Sequence, residues 1–287
     1  MKPGLFRYVR ADTVEDALLL CQDLGENASF LAGGQSLVPA MALRMASPEY
    51  LIDISSVAEL QSIKLDEGVL RIGAGCRYAD ILQSPSVAKT APILTQAIPF
   101  IAHEAIRNRG TIGGSLAHAD PASELPACML MLGAMIVLRS TAGERKIKAD
   151  DFFLGTYFTE LADGEMIVGV EIPALSGNTI HRFSEISRRS GDYAISGGAF
   201  SVSFESGVVT AARLAFFAVS DCAVLAKSAA KSMVGKALND ETISVASEMA
   251  ASELNILADI YTGVAAKRQI TKVLAKRLLS QFIEKAR

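Results

Sequence analysis

Two short stretches carry the residues best suited to chemistry. "LAGGQSLVP" (31–39) sets Gly33 and Gly34 side by side behind an apolar run, and "RGTIGGSLAHADP" (109–121) repeats the arrangement at Gly113 and Gly114. Each pair is followed by a hydroxyl, Ser36 in the first case and Ser115 in the second. Adjacent glycines permit positive φ and remove the Cβ atoms that would obstruct an approaching ligand. Successive N–H groups of such a bend can converge on one anion, and a following helix adds free N-terminal amides and its dipole. A hydrogen bond to a charged oxygen is worth roughly 1.5–3 kcal/mol, so a few amides from two loops can hold a diphosphate without a lysine. The alternative is that both pairs are simply tight turns.

Other candidates for chemistry are sparse. The sole Gly-Lys pair, Gly235-Lys236, is followed by Ala237 inside a helical pattern, so there is no phosphate loop of the GxxxxGK[ST] kind. "RIGAGCRY" offers Gly73 and Gly75 after a strand but Tyr78 where a third glycine should stand, which leaves the dinucleotide fingerprint incomplete. His103, His118 and His181 fall in different elements and form no metal constellation; His118 either packs the second loop or acts on a ligand. Cys21, Cys76, Cys128 and Cys222 show no CxxC spacing, against a disulfide framework, a zinc site or an iron–sulfur site. Asp120 reads as a helix cap, and Glu124, one turn further, either accepts from a ligand N–H or is solvated. No catalytic residue and no metal ligand is assigned.

With 287 residues and 50% hydrophobic content the chain can bury substantial cores, enough for two or three domains. Its net charge of −3 and pI near 5.7, without a basic run, remove the attraction that nucleic acid or an anionic membrane would need. "MKPGLFRYVRADT" has no apolar signal core and no apolar run approaches the roughly 20 residues of a membrane span, so the expected location is cytoplasmic.

The glycine bends need elements to hold them. "DTVEDALLLCQDLG" predicts a helix capped by Thr13, with Asp16 reaching back and Gly25 ending it. "SFLAGG", "SLVPAMALRM" and "EYLIDIS" then read as strand, helix and strand, a small β-α-β unit. Alternation on both sides of Asp66-Glu67-Gly68 predicts a hairpin. The pattern from Pro92 to Ile106 predicts one helix, and Asp120-Pro121 predicts the start of another running to about Leu132. "AMIVLRS", "RKIKADDF" and "EMIVGVEIP" read as strands of one sheet, with a boundary between Pro173 and Asn178. Three antiparallel strands, "IHRFSEIS", "GGAFSVSFE" and "VTAARLAFFAVS", are expected next, and helices from Ala223 onward.

Taken together, "LAGGQSLVP", "RNRGTIGGSLAHADPASELP", "EMIVGVEIP" and "RRSGDYA" resemble, in order along nearly the whole chain, the FAD-binding medium subunit of the molybdenum hydroxylases, the carbon monoxide dehydrogenase and xanthine dehydrogenase group. The resemblance implies an α+β chain. Its FAD-binding fold is of the vanillyl-alcohol-oxidase (PCMH) type in two subdomains (1–58 and 59–177), followed by a C-terminal domain (178–287) of a three-stranded antiparallel sheet and a helical bundle. It also implies that the FAD diphosphate lies between Ala32, Gly33, Gly34, Gln35 and Ser36 on one side and Thr111, Ile112, Gly113, Gly114 and Ser115 on the other. Glu124 then matches an acidic position touching the cofactor, Ile101 and Ile167 match apolar positions near it, and Tyr193 matches a tyrosine beside the flavin ring; the alternative for Tyr193 is a strand-end aromatic at the domain interface. Glu185 departs from the pattern, because many members carry a lysine there.

By the same resemblance, the chain works in a heterotrimer, itself paired as a dimer of heterotrimers. A large subunit holds the molybdenum cofactor, a small one holds two two-iron two-sulfur clusters, and electrons reach an external acceptor through FAD. The substrate, by a lean in the second loop an N-heteroaromatic compound, is hydroxylated on the large subunit. The rival is a stand-alone flavin-dependent oxidoreductase. Gly33→Val or Gly114→Val is expected to abolish FAD binding and leave the chain folded.

Overall fold

A computed structural model describes residues 2–174 and 178–286. The chain opens with a parallel three-stranded sheet in the order β1 (Arg7–Arg10), β3 (Tyr50–Asp53), β2 (Ala28–Leu31), covered by α1 (Val14–Leu24) and followed after β2 by the short α2 (Leu37–Ala42). Thr13 caps α1, its hydroxyl accepting from the Asp16 amide at 3.0 Å, while the Asp16 carboxylate accepts from the Asp12 amide. Gly25, at φ +68, ends it. β1 has no apolar run of its own; pairing with β3 creates it, so nothing in its local residue pattern announces it.

The second sheet is antiparallel, ordered β4 (Ile63–Asp66), β5 (Val69–Gly73), β10 (Met166–Pro173), β6 (Met135–Ser140), β7 (Gly143–Lys148). Glu67 and Gly68, both at positive φ, turn the β4–β5 hairpin as expected. Between β5 and β6 run α3 (Tyr78–Gln83), α4 (Pro85–Thr90), α5 (Pro92–Ala97), α6 (Glu104–Arg107), α7 (Ile112–His118) and α8 (Glu124–Leu132); α9 (Ala149–Phe152) and the hairpin β8 (Phe153–Gly155) with β9 (Phe158–Thr159) precede β10.

Two expected helices differ. The single helix predicted over 92–106 ends at Ala97, because Pro99 lacks an amide to continue it and Ala102 turns left-handed at φ +44. Arg107 holds the break, its Nη1 donating to the carbonyls of Ile101 (2.9 Å) and Ala102 (3.0 Å). The helix expected from Asp120 starts at Glu124 instead. Asp120 is spent on a local turn, its Oδ1 accepting from the Ala122 amide and its carbonyl from the Ser123 amide.

The third sheet is antiparallel: β11 (Thr179–Ser187), β12 (Ala194–Glu205), β13 (Val208–Phe217) and a two-residue β14 (Val224–Leu225), the last beyond the three strands expected. The boundary expected at Pro173–Asn178 falls largely on 175–177, outside the described residues. Both faces of this sheet are apolar. Phe200, Val202, Leu214 and Phe216 pack under α10 (Lys227–Met233), α11 (Asp240–Glu253) and α12 (Val264–Ala286). The other face carries Phe183, Ala199, Ala215 and Phe217 into the main core, where α8, buried all round, is wedged. That core is continuous from Val14 and Leu18 on α1 through Leu70, Ile72 and Ile172. Arg213 of β13 ties α8 to the third sheet: its Nε and Nη2 donate to the Leu130 carbonyl at 3.0 and 2.7 Å, where the helix end is negative.

Candidate functional site

The two glycine stretches meet. A Cβ built on Gly33 would lie 2.2 Å from the Arg109 carbonyl oxygen and 2.9 Å from the Gly110 Cα, so the first loop rests backbone to backbone on the entry to the second. Gly110 in turn lies under the buried Tyr78 ring, 2.6 Å from the position a Cβ would take. Leu31, Ala32, Gly33, Gly34, Gln35, Asp53, Ser55 and Arg109 line a cavity of about 320 Å³ at this meeting point.

The loops use their glycines differently. Gly34 sits at φ +71, which only glycine adopts without strain. Among the described residues, the amides of Ala32, Gly33, Gly34, Gln35 and Ser36 have no protein acceptor; the Gln35 side chain folds back, its Nε2 donating to the Gly33 carbonyl at 2.9 Å. The first four belong to residues that line the cavity, and such a run of free amides can converge on an anion. In the second loop, Gly113 and Gly114 lie in the first turn of α7, not at positive φ and not after a strand. Gly113 is required by packing, since its Cβ would fall 2.5 Å from that of Ala74. The Ile112 and Gly113 amides donate to the carbonyls of Cys76 and Ala74, and the Gly114 amide to Thr111 Oγ1. These amides are committed to the fold. The second loop therefore offers the Thr111 amide and the Ser115 hydroxyl, and its echo of the first loop is one of sequence rather than conformation.

A polar row runs from Ser115 toward the third sheet. Ser115 Oγ and Ser123 Oγ lie 2.9 Å apart, and burial pushes the Tyr78 phenol up to about 12. Ser123 precedes Glu124, the first residue of α8. Burial, with the charges of Glu185 and Asp120 adding to it, pushes Glu124 up to about 8. Glu185, on β11, is pushed up to about 7 by burial. Tyr157 donates to Asp120 at 3.4 Å and lies against the His118 ring, 4.8 Å between centroids, so His118 takes the packing role. Tyr193 is 71% exposed, with its hydroxyl beside Asp120 and near Glu124. Ile101 and Ile167, by contrast, are buried in the core cluster, the latter at a bulge of β10.

Sequence reasoning missed Arg109, and with it Asp53 and Ser55 on the cavity wall. Arg109 flanks the second glycine stretch directly, and that adjacency was the available signal. Among the described residues no three His, Cys, Asp or Glu side chains are grouped for a metal ion, and no helix is long and apolar enough to cross a membrane.

A glycine cradle between two small sheets, backed by a third sheet with its own helices, is the arrangement of a flavin-binding chain. Residues 4–175 match the family described as FAD binding domain in molybdopterin dehydrogenase, and residues 181–282 match the CO dehydrogenase flavoprotein C-terminal domain. The chain is 38% identical, over 288 aligned positions that cover all of it and 97% of the relative, to the alpha subunit of the 6-hydroxypseudooxynicotine dehydrogenase complex of Paenarthrobacter nicotinovorans. Among solved structures, quinoline 2-oxidoreductase from Pseudomonas putida 86 superposes with a TM-score of 0.95 at 37% identity, covering 100% of this chain and 99% of that one. A carbon monoxide dehydrogenase of Hydrogenophaga pseudoflava, in a form lacking the Mo-pyranopterin moiety of its molybdenum cofactor, gives 0.95 at 36% identity with 98% of each chain covered. The chain belongs to the FAD-binding medium subunits of the molybdenum hydroxylase family, a family of oxidoreductases.

Proposed function

We propose that this chain is the electron-relay subunit of a molybdenum hydroxylase complex, holding FAD between iron–sulfur clusters of a small partner and an external acceptor, while a large molybdenum subunit hydroxylates the substrate. FAD, when bound, supplies the redox chemistry. The protein's own residues bind and orient it: the amides of Ala32, Gly33, Gly34, Gln35 and Ser36, with the Thr111 amide and the Ser115 hydroxyl, take the diphosphate, and Arg109 adds positive charge at the cavity rim. The carrying observation is a run of five free amides, four of them on residues that line a cavity shared with Arg109 at the entry to the second loop. Glu124 and Tyr193 belong to the ring end of the cleft, whereas Ile101 and Ile167 act from the core beneath it. An N-heteroaromatic substrate fits the likeness to a quinoline oxidoreductase, and a cytoplasmic dimer of heterotrimers fits the family's organisation.

One observation favours a second reading. Buried carboxyls raised toward neutral pH, Glu124 to about 8 and Glu185 to about 7, are what a stand-alone flavin oxidoreductase needs beside its ring. Affinity purification of the tagged chain from its native host, with mass spectrometry and an absorption spectrum, separates the two. A yellow complex containing iron, molybdenum and two further chains is expected. A chain that purifies alone and oxidises a donor once loaded with FAD supports the stand-alone enzyme, and one that stays colourless after incubation with FAD overturns both.

A further inference from the structure

The outer edge of β13 is left open in its middle. β12 pairs with the inner side of this strand along its length. Among the described residues, the outer side is held only toward its two ends. At one end β14 pairs with Ala215 and Phe216, and the Ala226 amide donates to the Leu214 carbonyl. At the other, the Val209 amide donates to the Lys236 carbonyl, and the Val209 carbonyl accepts from the Gly235 amide. Between these points the chain swings out as α10, so no strand covers Thr210 to Arg213, a length of about 13 Å at the usual rise. The Leu214 carbonyl faces outward, and alternation along the strand turns the amide and carbonyl of Ala212 the same way.

The gap opens into a cavity of about 400 Å³ that is lined from both faces of the sheet. On one face α10 and its cap present Lys227, Ala230, Lys231 and Val234, which recur at helical spacing. On the other lie Arg213 and Asp150, ion-paired at 2.6 Å. A space that straddles the sheet plane beside an open edge is where one more strand fits. Its charge is one-sided: three cations stand against one acid, in a chain whose net charge is −3. Among the described residues neither Lys227 nor Lys231 has an ion pair. The acid at the start of α10, Glu253, is taken up by the Ser228 and Ala229 amides at 2.9 and 2.8 Å.

We propose that this slot is the docking site for an extended acidic segment of a partner chain, which adds to β13 as a further strand and sets its carboxylates against Lys227 and Lys231. This rests on the multi-subunit reading above. Main-chain bonds to the Ala212 amide and carbonyl supply the hold, and alternate side chains of the added strand supply the selection, one set meeting the lysines and the other the Arg213–Asp150 pair. A small anion satisfies the lysines but leaves the strand edge uncovered, a hazard that proteins cover or use.

The test sets the tagged complex from the native host beside the isolated chain. In the complex, hydrogen exchange across 210–214 is expected to slow at least tenfold, and a carbodiimide is expected to join Lys227 or Lys231 to an aspartate or glutamate of a partner chain. Ala212→Pro removes the outward amide at a place where an edge strand tolerates proline, and Lys227→Glu with Lys231→Glu reverses two exposed charges. Each change is expected to weaken retention of that partner about tenfold, while FAD binding by the isolated chain stays within twofold of wild type. Where Ala212→Pro does not fold, the charge reversal carries this arm. A complex that holds its partners with exchange at 210–214 unchanged, carbodiimide links confined to this chain, or partners kept as tightly by the charge-reversed chain overturns the proposal. A chain that purifies without partners overturns the multi-subunit reading, and the proposal with it.

Discussion

Gly33 rests on Arg109 so closely that a Cβ on the glycine would stand 2.2 Å from the arginine carbonyl oxygen. The contact joins two segments more than seventy positions apart in the chain, and the clash is with backbone, which cannot swing away. Gly33→Val therefore acts on folding before it acts on a ligand, contrary to the expectation of a folded chain that has merely lost FAD. A cost of about 3 kcal/mol or more is expected. Denaturant unfolding of the apoprotein checks it, and a variant of wild-type stability would show that the loops part freely.

Gly34 is the cleaner probe of the cradle. Its Cβ would find only the ends of Leu31 and Val38 side chains, each 3.3 Å away, but its φ of +71 is costly for alanine. Gly34→Ala should lose ~1–2 kcal/mol of stability and relax the loop away from the conformation that points its amides at the cavity. Equilibrium dialysis should show FAD affinity reduced by tenfold or more, with the far-ultraviolet circular dichroism unchanged.

Buried acid groups make stability depend on pH. Glu124 and Glu185 are both raised above their ordinary value of 4.5, to about 8 and about 7. The folded chain thus keeps protons that the unfolded chain releases, and the associated stability is full below about pH 4.5. It is lost as pH rises, through about 7 for Glu185 and about 8 for Glu124. His181, lowered to about 4, acts the opposite way, weakening the fold as pH falls below 6.5. Glu124→Gln isolates the first effect: urea denaturation should show it gaining ~1–3 kcal/mol on the wild type at pH 8.5 and little at pH 5. A constant difference across that range would mean that Glu124 does not titrate there.

Arg213 bridges α8 and the third sheet by two contacts of unequal worth. The paired bonds to the Leu130 carbonyl are partly buried, whereas the ion pair to Asp150, at 2.6 Å, is 38% and 25% exposed on its two sides. Arg213→Ala should cost ~1–3 kcal/mol and Asp150→Ala under ~1 kcal/mol. Equal losses in thermal unfolding would place the weight on the ion pair instead.

Local rules made much of this fold legible. Thr13, Asp16 and Gly25 bracket α1, and Glu67-Gly68 turns its hairpin, because caps and turns depend on residues next to one another. What escaped depends on distance. The short β1 becomes a strand only by pairing with β3. Gly33 and Gly113 look alike in sequence, yet one meets Arg109 and the other Ala74, partners no spacing reveals. Asp120 has the residue type of a helix cap but spends its carboxylate on a local turn. The site was legible in its first loop; in the second, amides that the sequence leaves open are already bonded to Cys76, Ala74 and Thr111. That the Glu185 carboxyl lacks a partner could not be read, since a missing partner is visible only once every neighbour is placed.

The central claim is that free main-chain amides of 32–36, closed over by the second loop, grip the diphosphate of FAD. An experimental structure of the FAD-loaded protein tests it most directly. Phosphate oxygens are expected about 3 Å from the amides of Gly33, Gly34, Gln35 and Ser36, with the Ser115 hydroxyl on the opposite side. A diphosphate bound away from the cavity beside Arg109, or amides in that run still without a phosphate partner, would contradict it.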